Sequence, residues 1–361
     1  MATIYNQQTG AWENSATWHR GIVPSSTDDV VLDWVTPNRR TVTTVNGTDA
    51  AASLDVGPTN DLTFNENRDN PGQLTVTGEV LVEDGGVING AGTLIAGSIH
   101  NDGLIISKGP EGARFNVLHI ETGTLFNSGE LYASDGYSLQ VDGNLNNSGE
   151  VSGHSGSSIT FGNVTNSGRM LVFDAGTEIS VHGTLNNSGY VSASHHGEFS
   201  VSGNVSNTGT LAALSSGVLD FAEGVINTAG GRLSVSGGGT IEIGGSAIGG
   251  TATLGGSGSE LVFNGGSSTT NVNFNGNNDT FLLGHSQSYA GSVSSFYKGD
   301  IIDARDIGFN PSYDSYNPTT KLLTLGDGTH TAEIKIVGTH YVPSDFSFHS
   351  DAHGGTTVVY A

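Results

Sequence analysis

The chain has 361 residues, of which 55 are Gly and none Cys, and its 12 Lys and Arg face 35 Asp and Glu for a formal net charge of −23. A surface so acidic and so poor in cations repels phosphate backbones and anionic lipid, which argues against nucleic acid and membrane insertion. Without Cys there is no disulfide framework, no thiol nucleophile and no Cys-based zinc or iron–sulfur centre. Glycine, at about 15 %, is roughly double ordinary usage yet follows no Gly-X-Y period, so a collagen helix is excluded.

The chain opens Met1-Ala2-Thr3-Ile4-Tyr5 with neither a basic region nor an apolar core of leader length. No stretch approaches the roughly 18 apolar residues needed to span a bilayer. A cytoplasmic protein, a chain whose leader has been removed and export without an N-terminal leader all fit. The acidic, Cys-free, Ser/Thr/Gly/Asn-rich composition favours a secreted or cell-surface location. Residues 1–53 follow no strict repeat and hold all three tryptophans, Trp12, Trp18 and Trp34. They read as an N-terminal cap or assembly region, with the indoles as an aromatic lid on the first coil.

Residues 54–283 are periodic. An apolar pair at i and i+2 recurs twelve times, from Leu54/Val56, Leu74/Val76, Leu94/Ala96 and Leu118/Ile120 to Leu261/Phe263 and Phe281/Leu283. Between Leu139 and Leu219 every step is 20 residues. The widest step, 24, holds a small insertion, Lys108-Gly109-Pro110-Glu111-Gly112. In phase with these pairs runs Asn-Ser/Thr-Gly, at Asn127, Asn147, Asn166, Asn187 and Asn207, with Asn227-Thr228-Ala229 as a variant.

The unit from Leu139 to Ser158 shows the logic. Leu139 and Val141 flank Gln140, as in a strand with one buried face. Gly143 permits a corner, and Leu145 points inward again. Asn147-Ser148-Gly149 is a turn, since Asn and Gly tolerate positive φ. Val151 is the third inward stroke, and Gly153 to Ser158 leads back to Ile159. Three apolar strokes and three corners in 20 residues make one coil of a solenoid. One coil cannot bury its own strokes, but coils stacked about 4.8 Å apart build a continuous core.

The expected fold is therefore all-β: a right-handed parallel β-helix, three-sided, with atypical ends. The column Asn127, Asn147, Asn166, Asn187, Asn207, Asn227 is expected to stack as an amide ladder, plain turn chemistry being the alternative. Residues 284–361 leave the strict phrase and read as a β-rich C-terminal cap.

Two segments carry a resemblance. Trp12-Glu13-Asn14-Ser15-Ala16-Thr17-Trp18-His19-Arg20-Gly21-Ile22-Val23-Pro24, followed by Asp28-Asp29-Val30, resembles the opening of many bacterial surface proteins with autotransporter-passenger-like β-helical repeats. Phe296-Tyr297-Lys298-Gly299-Asp300-Ile301-Ile302-Asp303-Ala304, Leu322 to Gly328, Ala332 to Gly338 and the ending Gly354 to Ala361 form the second. They are similar to the C-terminal tails of large alphaproteobacterial proteins exported by type I secretion. That resemblance implies an uncleaved C-terminal export signal. The Gly-Gly-x-Gly-x-Asp nonapeptide of its calcium-binding members is absent, so calcium-dependent folding does not carry over.

Chemistry-bearing residues are sparse. Asp279, Asp300, Asp303 and Asp306 are the best metal candidates, as hard oxygen ligands suited to calcium. His195-His196, with His182 a coil away, is the most prominent histidine group. Adjacent rings on a strand point to opposite sides, and the pair lies in a Ser/Gly-rich corner. Arg169 and Glu150, one coil apart, are placed for a surface ion pair. The acids Asp142, Asp174, Glu178, Asp220 and Glu223 are dispersed rather than paired for glycoside hydrolysis. The position between the apolar pairs is too irregular for an ice-binding threonine face. Tyr132, Tyr137 and Tyr190 read as scattered, against a carbohydrate-binding line of aromatics.

The expectation is a secreted, non-enzymatic structural or adhesive protein. Its partners would be further copies of itself, joined end to end through residues 1–53 and 284–361, and cell-surface polysaccharide. A carbohydrate-active β-helix enzyme, lyase or hydrolase, is the alternative.

Overall fold

The computed structural model describes residues 2–34, 39–65, 71–109, 116–228, 230–338 and 340–360. The chain forms two compact units, Met1–Gly183 and Thr184–Ala361. Each is a parallel β-solenoid with turns of roughly 20 residues. Residues 110–112 of the insertion, and Ala229 and Ala361, lie outside the described residues.

In the first unit the apolar strokes become three walls. In Ser138–Asn147, Leu139 pairs in parallel with Ile159, and Leu145 with Val164. Val151, in Glu150–Gly153, pairs with Met170. The inward residues Leu139, Val141, Leu145 and Val151 are all buried, while Gln140 between them is not. Each therefore meets the equivalent residue of the next coil, and one register serves both backbone hydrogen bonding and the core.

Parallel stacking begins before the strict repeat. Asp29–Leu32 pairs with Ser53–Val56, and Thr3–Tyr5 with Asp29–Leu32, so Ile4, Val30 and Leu54 form one column. Trp12 and Trp18 are fully buried with ring centroids 4.9 Å apart, edge to face. The Trp18 Nε1 donates to the Trp12 carbonyl at 2.6 Å. The third tryptophan departs from the expected lid. Trp34 is 47 % exposed, its backbone amide held by Asn6 Oδ1 at a corner beyond Asp29–Leu32.

The second unit continues the same phrase, with Phe199, Leu219, Ile241, Leu261, Phe281 and Ile302 in successive register. On the wall of Ile301–Ala304 the pairing then turns antiparallel, while Thr331–Val337 still pairs in parallel with Ser292–Ser294 on another. Thr356–Tyr360 lies along Ile301–Ala304, and Phe346–Ser350 lies outside it. On that other wall Leu322–Gly326 pairs with both Ser315–Asn317 and Thr331–Val337 in antiparallel fashion. These hairpins end the parallel array, which is why residues 284–361 lose the 20-residue spacing.

Two corners have different physical origins. Neither Asn147 nor Gly149 has positive φ, contrary to the reading of Asn-Ser-Gly as a left-handed turn. The Ser148 and Gly149 amides instead both donate to the Asn127 carbonyl of the preceding coil, at 2.8 and 3.1 Å. A Cβ on Gly149 would overlap the Gly129 carbonyl oxygen, and Gly168 stands in the same relation to Gly149. Glycine is required there by the closeness of the next coil. The corner after the third wall is the left-handed one. Asp135-Gly136, Ser155-Gly156, His195-His196, Ser215-Ser216 and Gly237-Gly238 all have positive φ. In the histidine case the Gly197 amide closes the turn onto the Ser194 carbonyl at 3.0 Å. His195 and His196 thus sit in a turn rather than on a strand.

Substitution at the two corners is expected to act in opposite directions. Gly149→Ala should destabilise by about 1–3 kcal/mol through overlap with the neighbouring coil. His196→Gly should stabilise by up to about 1 kcal/mol, because it removes a side chain from left-handed backbone. Chemical denaturation of the two variants checks both signs.

Candidate functional site

Three features are built into the stack: a buried amide ladder, a set of buried carboxyls and a segregated surface. The ladder follows from the Asn position, which closes the second wall with its side chain turned inward. Asn127 Nδ2 donates to Asn147 Oδ1 at 2.7 Å, and Asn147 Nδ2 to Asn166 Oδ1 at 2.7 Å. In the second unit Asn187 donates to Asn207 and Asn207 to Asn227, each at 2.8 Å. Every one of these six side chains is buried.

The same Nδ2 groups also donate to backbone carbonyls. Asn127 reaches Gly129 at 3.2 Å and Glu150 of the next coil at 3.1 Å. The amides therefore fasten the second corner to the start of the third wall. Sequence reasoning missed one member: Asn101 donates to Asn127 Oδ1 at 2.7 Å. The phrase Asn101-Asp102-Gly103 carried the signal, since it has Asn and Gly at the same spacing with Asp in place of Ser.

The four aspartates considered for calcium are not gathered at one point. Asp279 Oδ1 accepts the Ser259 amide at 2.9 Å. Asp300 Oδ1 accepts the Asp279 amide at 3.2 Å, and its Oδ2 the Tyr297 amide at 2.9 Å. These two fully buried carboxyls act as backbone acceptors at stacked corners. Asp303 lies on the strand Ile301–Ala304, 3.5 Å from the Arg305 Nε. Asp306 accepts the Ser286 amide at 2.9 Å and its hydroxyl at 2.5 Å. Among the described residues no group of three or more His, Cys, Asp or Glu is placed to share an ion.

Burial acts on several of these acids. It pushes Asp300 up to about 6, against the lowering effect of the Tyr297 and Asp279 amides. Burial also raises Asp303, reinforced by the nearby Asp351 carboxylate and opposed by Arg305. In the first unit Asp49 is pushed up to about 7, chiefly by burial and then by the facing Glu13 carboxylate. Glu13 is itself engaged by the Asn46 amide at 3.2 Å.

Arg169 Nε lies 3.9 Å from Glu150 Oε2, both well exposed, so the contact is a weak surface pair. Tyr137 is buried in the core, whereas Tyr132 begins a column the sequence did not disclose. Its ring lies 5.5 Å from His154, which in turn stacks on Phe173 at 4.6 Å. Rings stacked between coils cover each other's faces and turn their edges outward.

The surface is segregated. Nine of the eleven exposed large apolar residues among those described lie in 1–53 or 284–361: Tyr5, Ile22, Val23 and Trp34, then Tyr297, Phe309, Tyr313, Val337 and Val342. Net charge is spread more evenly along the chain. Residues 54–283 hold five Lys and Arg against 22 Asp and Glu, a net −17. Residues 1–53 hold three against five, and 284–361 four against eight, leaving only −2 and −4. No known family model matches the chain, and no curated protein matches its sequence.

Asn147→Ala should destabilise by about 1–3 kcal/mol, because Asn166 Oδ1 loses its Asn147 donor, while Asn127 Nδ2 loses one acceptor but keeps the Gly129 and Glu150 carbonyls. Asn101→Ala likewise removes the donor to one oxygen, Asn127 Oδ1, but takes no acceptor from a ladder amide, so its loss should be no larger. Unfolding midpoints in denaturant compare the two.

The raised acids set a pH dependence of definite sign. Each has a folded-state pKa above its unfolded value, so its protonated form is favoured by folding. That contribution is present in full below the unfolded pKa and is lost as pH rises through about 6 for Asp300 and about 7 for Asp49. The thermal midpoint should therefore rise as pH is lowered from 8 towards 5. Asp49→Asn, which mimics the protonated acid, should raise the midpoint at pH 8 and flatten its upper part. Thermal scans across that range on both proteins provide the check.

Proposed function

We propose that this chain is a secreted structural protein of the cell surface or extracellular matrix, assembling with further copies of itself through residues 1–53 and 284–361. The observation that carries this reading is the segregation of its surface. The repeat region bears most of the negative charge, so its walls repel one another and oppose lateral packing. The end regions are shorter, carry only −2 and −4, and hold nine of the eleven exposed large apolar side chains among the described residues.

A parallel stack also ends in strand edges, which template further pairing unless they are covered. Thr3–Tyr5 has its described strand partner, Asp29–Leu32, on one side. Phe346–Ser350 likewise pairs with Thr356–Tyr360 on one side. Contact between two unlike ends is heterologous and propagates instead of closing, which yields filaments or layers. Location outside the cell is supported by the acidic, Cys-free composition. It is supported also by the likeness of the C-terminal segment to type I secretion tails, which on this reading is the export signal.

Sedimentation velocity at micromolar concentration tests the assembly. The parent protein should form concentration-dependent species larger than the monomer. The pair Ile22→Asp and Val23→Asp, or Val337→Asp alone, should return it to monomer without lowering the unfolding midpoint. A parent protein that stays monomeric, or end variants that assemble as it does, would remove the proposal.

A further inference from the structure

One wall of the first unit carries a step in side-chain size. Its outward column runs His100, Phe126, Asn146, Thr165, each in register with the next. His100 and Phe126 stack at 4.6 Å with their planes 24° apart. One face of the Phe126 ring is thereby covered. The other looks along the column, where the next residues are an amide and a hydroxyl. The drop from ring to amide leaves a groove of about 260 Å³ beside Phe126, and the ring is 38 % exposed.

The polar groups around this groove are arranged to exchange hydrogen bonds with something else. Asn146 and Thr165 have no side-chain hydrogen-bond partner among the described residues, and both are exposed. Ser148 Oγ donates to the Asn127 carbonyl and Ser167 Oγ to the Asn147 carbonyl, each at 3.2 Å. Their protons are thus committed inward, and their lone pairs remain as acceptors on the groove side. Asp102, the one charged group lining the groove, has its carboxylate bound by the Ser128 hydroxyl.

An open aromatic face beside unpaired amide and hydroxyl groups matches a ligand with an apolar C–H face and a rim of hydroxyls. Polyanions are disfavoured, because the surrounding repeat region carries −17. We propose that this groove binds a neutral saccharide. One sugar ring stacks on the free face of Phe126, and its hydroxyls are shared among Asn146, Thr165, Ser148 and Ser167. The site lies on a wall, apart from the end regions invoked for assembly, so the two readings stand or fall separately.

Isothermal titration of the full chain with the linear hexaoses of glucose, mannose and xylose tests this, with an oligogalacturonate as the anionic comparator. At least one neutral hexaose should bind and the oligogalacturonate should not. Phe126→Ala should weaken that binding by about tenfold or more, and Asn146→Ala should weaken it to a lesser extent. Both replace exposed side chains, so circular dichroism and the unfolding midpoint should match the parent. Absence of binding by all three neutral probes, equal binding by Phe126→Ala, or equal binding of the oligogalacturonate would overturn the proposal.

Discussion

The structure depends on backbone hydrogen bonds between residues about 20 apart in sequence. Parallel pairing of Leu139 with Ile159, or of Phe199 with Leu219, brings each residue over its own equivalent. Whatever one coil places at a position, the next must accommodate within the spacing between strands. Apolar strokes become continuous columns, amides become a ladder, and glycine is needed at the corner after the second wall, where Gly149 and Gly168 meet their neighbours. The corners after the second and third walls are two different solutions to this one condition.

This condition made much of the fold legible in the sequence. The apolar pairs announced the walls, since alternation with a 20-residue return has few other physical meanings. The amide column was visible because Asn recurs in phase. What stayed hidden depended on details that the period does not encode. Gly149 looks like a left-handed residue but is needed for its missing Cβ, and no local pattern separates the two causes. Trp34 looked like part of a lid because tryptophans are usually buried, yet it follows a corner that turns it outward. The contact of Tyr132 with His154 and Phe173 joins residues 22 and 19 positions apart, slightly off the regular step, so the column went unseen. The two ends were the least legible, since antiparallel hairpins replace the repeat there.

The proposed roles use different parts of the surface. Assembly rests on the end regions, where aromatic and aliphatic side chains are exposed. Saccharide binding rests on a break in an otherwise regular outward column, where a large residue is followed by small ones. In both cases the informative position is one where the period fails. The regular positions are occupied by the requirements of stacking.

The amide ladder also has a direction. Within each unit an Asn gives its Nδ2 to the next, from Asn101 through Asn127 and Asn147 to Asn166 in the first and from Asn187 through Asn207 to Asn227 in the second. Asn101 Oδ1, where the first run begins, and Asn227 Nδ2, where the second ends, are buried without partners among the described residues. A duplicated coil inserted within either run would find a donor below and an acceptor above. An insertion or deletion of one or two residues within a wall would shift every contact beyond it. Changes in length along these walls are therefore quantised: lineages carrying this architecture should differ by whole coils, with irregular additions confined to corners such as the one near Lys108.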